Sequence, residues 1–294
     1  MLDYPALAAL SAVLRSGSFE AAAARLGVTP SAVSQRVRGL EERVGAVLVL
    51  RGLPARATAA GERLLRHADD VAALEQALAA DLPGVPAQRP TLRLAVNADS
   101  LATWFLPALS GLDMLFEIEI DDQDHSDQWL RRGAVAAAVT ARADPVQGCD
   151  SRPLGALPYS AVANPAFRDR WFGGGITADA LTRAPSLRYD SRDRLQADWA
   201  ATECGMAVDL PCHRLASSEG FRQAALLGLG WGMAPLPMVA EDLRAGRLVA
   251  LSARGLDTPL FWQVSRLSAR ALAPLTAAVR TAAKGWRSAD EALQ

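Results

Sequence analysis

The chain has 294 residues, half of them apolar, with 31 Lys plus Arg against 32 Asp plus Glu and a formal net charge of −1. That length suits a folded chain of two domains and excludes a disordered or fibrous class. Arg, Asp or Gly interrupts every apolar run before it reaches the length of a membrane span, and Met1-Leu2-Asp3-Tyr4-Pro5 lacks the basic start of a secretory signal, so a cytoplasmic protein with no membrane partner is expected.

In chain order, Tyr4 to Arg15 places Leu7, Leu10, Val13 and Leu14 on one side of a first helix, and Ser16-Gly17-Ser18 ends it. An alanine-rich helix follows to Leu26, whose small side chains let another helix come close. After the Gly27 turn, Thr29 caps a further helix with Pro30 at its first position. This is a helix-turn-helix. In the last helix Val33, Val37, Leu40 and Val44 form an apolar stripe, while Ser31, Ser34, Gln35 and Arg38 lie opposite, with side chains suited to base edges and phosphates. From Arg15 to Arg56 seven arginines face three acids, a basic island of plus four in a near-neutral chain. Val47 to Leu50 has strand character, and Arg51 to Arg56 turns it back.

Thr58 to about Leu82 contains no proline and repeats Leu64, Leu65, Ala68, Val71, Leu74 and Leu78 at helical spacing. A long helix with such a stripe needs a partner for it. Pro83 to Pro90, with three prolines and a glycine, marks a hinge and the domain boundary. From Thr91 onward strands alternate with helices, which predicts an open α/β sheet. Strands are expected at Leu92–Val96, Phe116–Asp121, Val135–Thr140, Leu157–Ala163, Ser186–Asp190, His213–Leu215, Gly230–Pro235 and Leu260–Val264. Helices are expected from Asp99 or Ser100 to Leu109, at Gln128–Arg132, at Glu219–Leu227 and at Ala269–Trp286.

Chemistry-bearing residues crowd one strand-to-helix junction, Asn97, Asp99, Ser100 and Thr103. Ser100 and the helix amides suit a carboxylate and Asp99 suits an ammonium, although Asp99 also fits a plain helix cap. Glu117, Glu119 and Asp121 alternate along a strand and read as a solvated face. His67, His125 and His213 have no triad neighbours, Gly173-Gly174-Gly175 is not followed by the Lys-Ser/Thr of a phosphate loop, and Trp104, Trp129, Trp199, Trp231 and Trp262 read as core or rim. Cys149, Cys204 and Cys212 match neither a zinc spacing nor a disulfide framework. No enzymatic activity, metal or cofactor is expected.

The order Ala-Ala-x-x-Leu-x-Val-Thr-x-Ser-Ala-Val-Ser-x-x-Val-x-x-Leu-Glu-x-x-Val-Gly, followed by Arg51-x-x-x-x-Arg56 and Thr58-x-x-Gly61, resembles the amino-terminal domain of LysR-type transcriptional regulators over about sixty residues. The resemblance implies a winged helix-turn-helix (1–58), a linker helix and hinge (59–90) that pairs two subunits, and a two-lobed, periplasmic-binding-protein-like α/β effector domain (91–294). Lobe I would hold 91–162 and 263–294, and lobe II 163–262. Thr29, Ser31, Ser34, Gln35 and Arg38, with Arg51 and Arg56 of the wing, would contact double-stranded promoter DNA as a homodimer or homotetramer, with RNA polymerase as a further partner.

The string Leu94 to Leu109, Val33-Ser34-Gln35-Arg36, and Pro211-Cys212-His213 followed by Ser217-Ser218-Glu219 are similar to the ArgP and LysG branch, which controls export of basic amino acids. L-lysine or L-arginine is then the implied effector. Besides Asn97, Asp99, Ser100 and Thr103, the candidate effector residues are Asp122, Tyr189, Asp190, Ser217, Ser218 and Glu219, with Asp122 and Glu219 preferred for the ligand's ammonium groups. The alternative is an architectural or replication-associated DNA-binding protein whose second domain mainly oligomerises.

Overall fold

The computed structural model describes residues 2–81, 91–121, 126–131 and 133–284. The hinge expected at Pro83–Pro90 lies outside the described residues. Three helices open the chain, α1 (Tyr4–Ser16), α2 (Phe19–Leu26) and α3 (Pro30–Val44), followed by the antiparallel hairpin of β1 (Val49–Leu50) and β2 (Arg56–Ala57). The Ser18 and Thr29 hydroxyls cap α2 and α3, accepting from the Ala21 and Ala32 amides at 3.0 and 3.2 Å. Val33, Val37 and Leu40 are fully buried against α1, each stabilising the head by roughly 1.5–3 kcal/mol. Val44 departs from the expected stripe and is 39% exposed, because Gly45 ends the helix just beyond the core. The Glu41 carboxylate accepts the Leu48 and Val49 amides at 2.8 and 3.2 Å and so fastens the wing to α3.

Thr58 then starts α4 (Ala59–Asp81), accepting the Gly61 amide at 3.0 Å while donating to the Val47 carbonyl at 2.7 Å. A Cβ on Gly61 would lie 2.0 Å from the Leu48 carbonyl oxygen, so only glycine lets the helix cross the wing this closely. This helix touches both halves of the chain. Asp69 pairs with Arg15 of α1 at 2.5 Å, and Asp70 accepts from Ser268 at 3.3 Å.

The second half contains β3 (Thr91–Val96), α5 (Ala98–Ser100), α6 (Leu106–Leu109), β4 (Leu115–Ile120), α7 (Asp127–Arg131), β5 (Ala137–Thr140) and β6 (Cys149–Ala163). It continues through α8 (Pro165–Phe172), α9 (Ala178–Arg183), β7 (Ser186–Arg188), α10 (Leu195–Cys204), β8 (Cys212–Arg214) and α11 (Ser218–Leu226). The chain then forms β9 (Gly232–Pro235), α12 (Leu236–Arg244), β10 (Val249–Ala250), β11 (Leu256–Ser265) and α13 (Ala273–Ala282). One seven-stranded sheet runs β10-β6-β11-β5-β3-β4, with β9 also on β6, and β7 pairs with β8 separately. Two lobes result, one around β3, β4 and β5 and the other around β7, β8 and β9, joined by the long antiparallel strands β6 and β11.

The sequence did not mark α8, α9, α10 or α12, and β11 begins at Leu256 rather than Leu260; three further differences have identifiable reasons. The single helix expected up to Leu109 is interrupted by a π segment, Leu101–Phe105, because Pro107 has no amide to donate to the Thr103 carbonyl. Strand β6 begins at Cys149 rather than Leu157, since Asp150, Ser151, Arg152 and Pro153 hide a stretch that pairs with β11, with a register shift opposite Leu260 and Phe261. Helix α13 starts at Ala273, with Pro274 in its first turn, and Trp286 lies outside the described residues. Trp199, Trp231 and Trp262 are fully buried, and the rings of Trp199 and Trp231 stand 5.0 Å apart, so these three are core, as expected.

Candidate functional site

Two surfaces carry chemistry. On the amino-terminal head, the core stripe of α3 fixes what faces outward. Thr29, Ser31, Gln35 and Arg38 are exposed and Ser34 is half-buried, all beside the wing that carries exposed Arg51 and Arg56. The Thr29 hydroxyl is engaged as the cap. Arg38 pairs with Glu42 one turn along the helix at 3.0 Å, a contact between exposed groups that is easily exchanged for a phosphate. Arg51 reaches back from the wing to the Ser34 hydroxyl at 3.4 Å and stacks over Phe19 with 5.1 Å to the ring centre. The head therefore presents a polar helix flanked by a basic wing.

The second surface is an open cleft between the lobes, lined by Asn97, Asp99, Asp121, Tyr189, Asp190, Arg192, Asp193, Gln196 and Ser218, with Ile120, Leu195, Phe221, Met233, Pro235 and Met238 as apolar walls. Its floor is built where β3 turns into α5. There the Asp99 carboxylate accepts from Tyr159 of β6 at 2.8 Å and from Ser218, the first residue of α11, at 2.6 Å. Asp99 is thus no plain cap, and it ties one lobe to the other. Buried beside it, the Asn97 Oδ1, Ser100 Oγ and Gln196 Oε1 atoms have no hydrogen-bond partner among the described residues. Buried polar atoms are rarely left so unless a ligand or water satisfies them.

A second polar group closes the rim. Asp121, at the end of β4, accepts from the Trp129 indole and from Arg192, both at 2.9 Å, and Arg192 also donates to Asp190 at 3.2 Å. The solvated face expected for Asp121 gives way to this pairing, because β4 ends at the cleft. Burial pushes the Asp190 carboxyl up, but the Arg192 and Asp193 amides and the Arg192 guanidinium outweigh it and hold it below its ordinary value. Burial, with Asp99 and Asp190 close by, pushes the Tyr189 phenol up.

Of the expected effector residues, the structure gathers Asn97, Asp99, Tyr189, Asp190 and Ser218 around this cleft. Ser100 is fully buried and is not among the residues that line the cleft, and others are occupied elsewhere. The Thr103 hydroxyl donates to the Asp99 carbonyl at 2.6 Å, and the Ser217 hydroxyl caps α11 by accepting the Gly220 amide at 3.0 Å. Exposed Glu219 accepts from Arg222 and Gln223 at 2.9 and 3.1 Å, so the ammonium partner expected there faces away from the cleft. Asp122 lies outside the described residues. Sequence reasoning did not single out Tyr159, Arg192 or Gln196. Tyr159 lies in a strand that reads as plain core, and only the polar Gln196 at a buried helix start carries a signal.

A winged helix-turn-helix joined by a long helix to a two-lobed α/β cleft is the plan of a ligand-responsive bacterial DNA-binding regulator. The chain matches the family descriptions "Bacterial regulatory helix-turn-helix protein, lysR family" over residues 5–62 and "LysR substrate binding domain" over residues 87–287. It belongs to the LysR family of transcriptional regulators. It is similar to the lysine export transcriptional regulatory protein LysG of Corynebacterium glutamicum, 41% identical over 283 residues, with 93% of this chain and 95% of that protein covered. Among solved structures, ArgP from Mycobacterium tuberculosis superimposes with a TM-score of 0.81 at 47% identity, covering 97% of this chain and 98% of that one. Full-length LysG from Corynebacterium glutamicum with bound effector Arg gives a TM-score of 0.68 at 38% identity, covering 97% and 99%. Among the described residues, no helix is long and apolar enough to cross a membrane.

Proposed function

We propose that this LysR-family regulator binds a basic amino acid, L-lysine or L-arginine, in the interlobe cleft and controls an amino-acid exporter gene in response. The observation that carries the reading is the charge of the cleft: among the described residues, four carboxylates, Asp99, Asp121, Asp190 and Asp193, line one cleft together with the guanidinium of Arg192. A ligand with two cationic nitrogens complements that imbalance, and its methylenes fit the apolar walls. The arginine named with the Corynebacterium structure supports the ligand class, and the export named with its relative supports the target gene.

On this reading Asn97, Asp99, Tyr189, Asp190 and Ser218 contact the effector. Ser31, Ser34, Gln35 and Arg38 enter a major groove while Arg51 and Arg56 hold phosphates or a minor groove. The exposed Leu74 on α4 suits pairing of two linker helices, which would set two recognition helices about one DNA turn apart. Effector binding acts on DNA only through a preference for one lobe arrangement over another. A reporter driven by the chain's own target promoter tests this: output changes with added L-lysine or L-arginine and not with L-leucine. Equal output with all three, or none with any, overturns the reading. An architectural protein with an oligomerising second domain is not favoured, since the matched relatives are named as regulators.

A further inference from the structure

Arg192 sits in a position the DNA-binding and ligand-binding roles above leave unexplained. It projects from the turn Asp190-Ser191-Arg192-Asp193 of one lobe and reaches Asp121 at the end of β4 in the other, 2.9 Å away, while its Nη2 and Nε stand 3.2 and 3.3 Å from Asp190. Both carboxylates also accept from other donors, whereas among the described residues the hydrogen bonds of the Arg192 guanidinium run to these two carboxylates. Asp121 is fixed from behind by the Trp129 indole, and Asp190 by the Arg192 and Asp193 amides at 2.7 and 3.0 Å. The Arg192 side chain is 44% exposed, on a long flexible stem that can swing into solvent at little cost.

Next to this pair, the same cleft holds two acceptor oxygens without partners among the described residues, Asn97 Oδ1 and Gln196 Oε1, on residues 2% and 4% exposed. A cationic side chain supplies only donors, and so matches unfilled acceptors and carboxylates together.

We infer that Arg192 is a specificity-determining residue: its guanidinium stands in for the effector's side-chain cation in the unliganded protein, and an amino acid displaces it only by bringing a cation of its own. The inference rests on the reading of the cleft as a basic amino-acid site and adds how that site refuses neutral amino acids. A neutral side chain that parted Arg192 from Asp121 and Asp190 would lose both ion pairs and supply no cation in exchange. A lysine or arginine side chain exchanges one cation for another. The exchange also breaks the Arg192–Asp121 bond between lobes, which links occupancy of the cleft to lobe arrangement.

Calorimetric titration of the full-length protein with L-lysine and L-arginine tests this in wild type, Arg192→Gln and Arg192→Lys. Removing the internal competitor in Arg192→Gln is expected to tighten binding of both amino acids about tenfold, the worth of two partly exposed ion pairs. Arg192→Lys keeps a cation and should bind as wild type does. Weaker or unchanged binding by Arg192→Gln overturns the inference, and weaker binding would show Arg192 gripping the ligand's own carboxylate instead. Wild type that binds neither amino acid refutes the underlying reading of the cleft, a result distinct from binding that the substitution fails to tighten. Unchanged thermal unfolding of both variants shows that the comparison is of folded proteins.

Discussion

The Ser218 hydroxyl donates to the Asp99 carboxylate at 2.6 Å across the gap between the lobes, although 119 residues separate them in the chain. With Tyr159 donating at 2.8 Å, Asp99 is held by groups from two other elements and aimed at the cleft. Asp99→Ala is expected to weaken effector binding about 30- to 100-fold, the worth of a hydrogen-bonded charge, and to leave operator DNA binding intact. Paired calorimetry and mobility-shift measurements check it. Loss of both activities together would instead indicate misfolding.

How far the sequence foretold this arrangement depends on the range of each signal. The head was readable because its cues are local: Thr29 before Pro30, the stripe of Val33, Val37 and Leu40, and Gly45 at the end act within one helix. In the cleft, Asp99 was legible from its place after β3, but its partners come from distant elements. At the start of α11 adjacent side chains point about 100° apart, so Ser218 faces Asp99 while its neighbour Glu219 faces Arg222. Composition at that spot cannot separate the two. Asp121 was misread for a related reason, since alternation predicts a face and does not say where the strand ends.

At the DNA-facing surface, base readers and phosphate contacts should separate by salt. Gln35→Ala is expected to cost about 1–3 kcal/mol at one operator position, while Arg56→Ala weakens all sequences alike and lowers the salt slope by about one. Fluorescence anisotropy over a salt series distinguishes them. A Gln35→Ala effect equal on operator and random DNA would contradict its assignment to a base.

Acid stability should report on Asp242. This carboxylate is fully buried and accepts from Arg222 at 2.6 Å and Arg247 at 2.7 Å. Burial pushes it up, but the hydrogen bonds from Arg222 and Arg247 outweigh that and lower it below its ordinary value. A carboxyl lowered on folding contributes stability above its unfolded value, and that contribution disappears as pH falls through the folded one, here below about pH 4. Asp242→Asn should therefore flatten the acid limb of a stability profile. Asp242→Ala should cost about 2 kcal/mol at neutral pH, less than for a fully enclosed pair because Arg247 is half exposed.

The close crossing of α4 over the wing makes Gly61 intolerant of any side chain. Its Cβ would meet the backbone oxygen of Leu48, which is held in place by the Thr58 amide at 3.0 Å. Gly61→Ala is expected to destabilise the head by about 3 kcal/mol, read as a lower urea midpoint. An unchanged midpoint would mean that the helix and wing do not approach as described.

The acidic cleft is expected to take an amino acid with two cationic groups. Isothermal titration of the full-length protein with L-lysine, L-arginine and L-leucine addresses it most directly. Saturable binding of the first two at one site per chain, with no heat from L-leucine, is the predicted result. Binding of L-leucine as tight as that of L-lysine would contradict it.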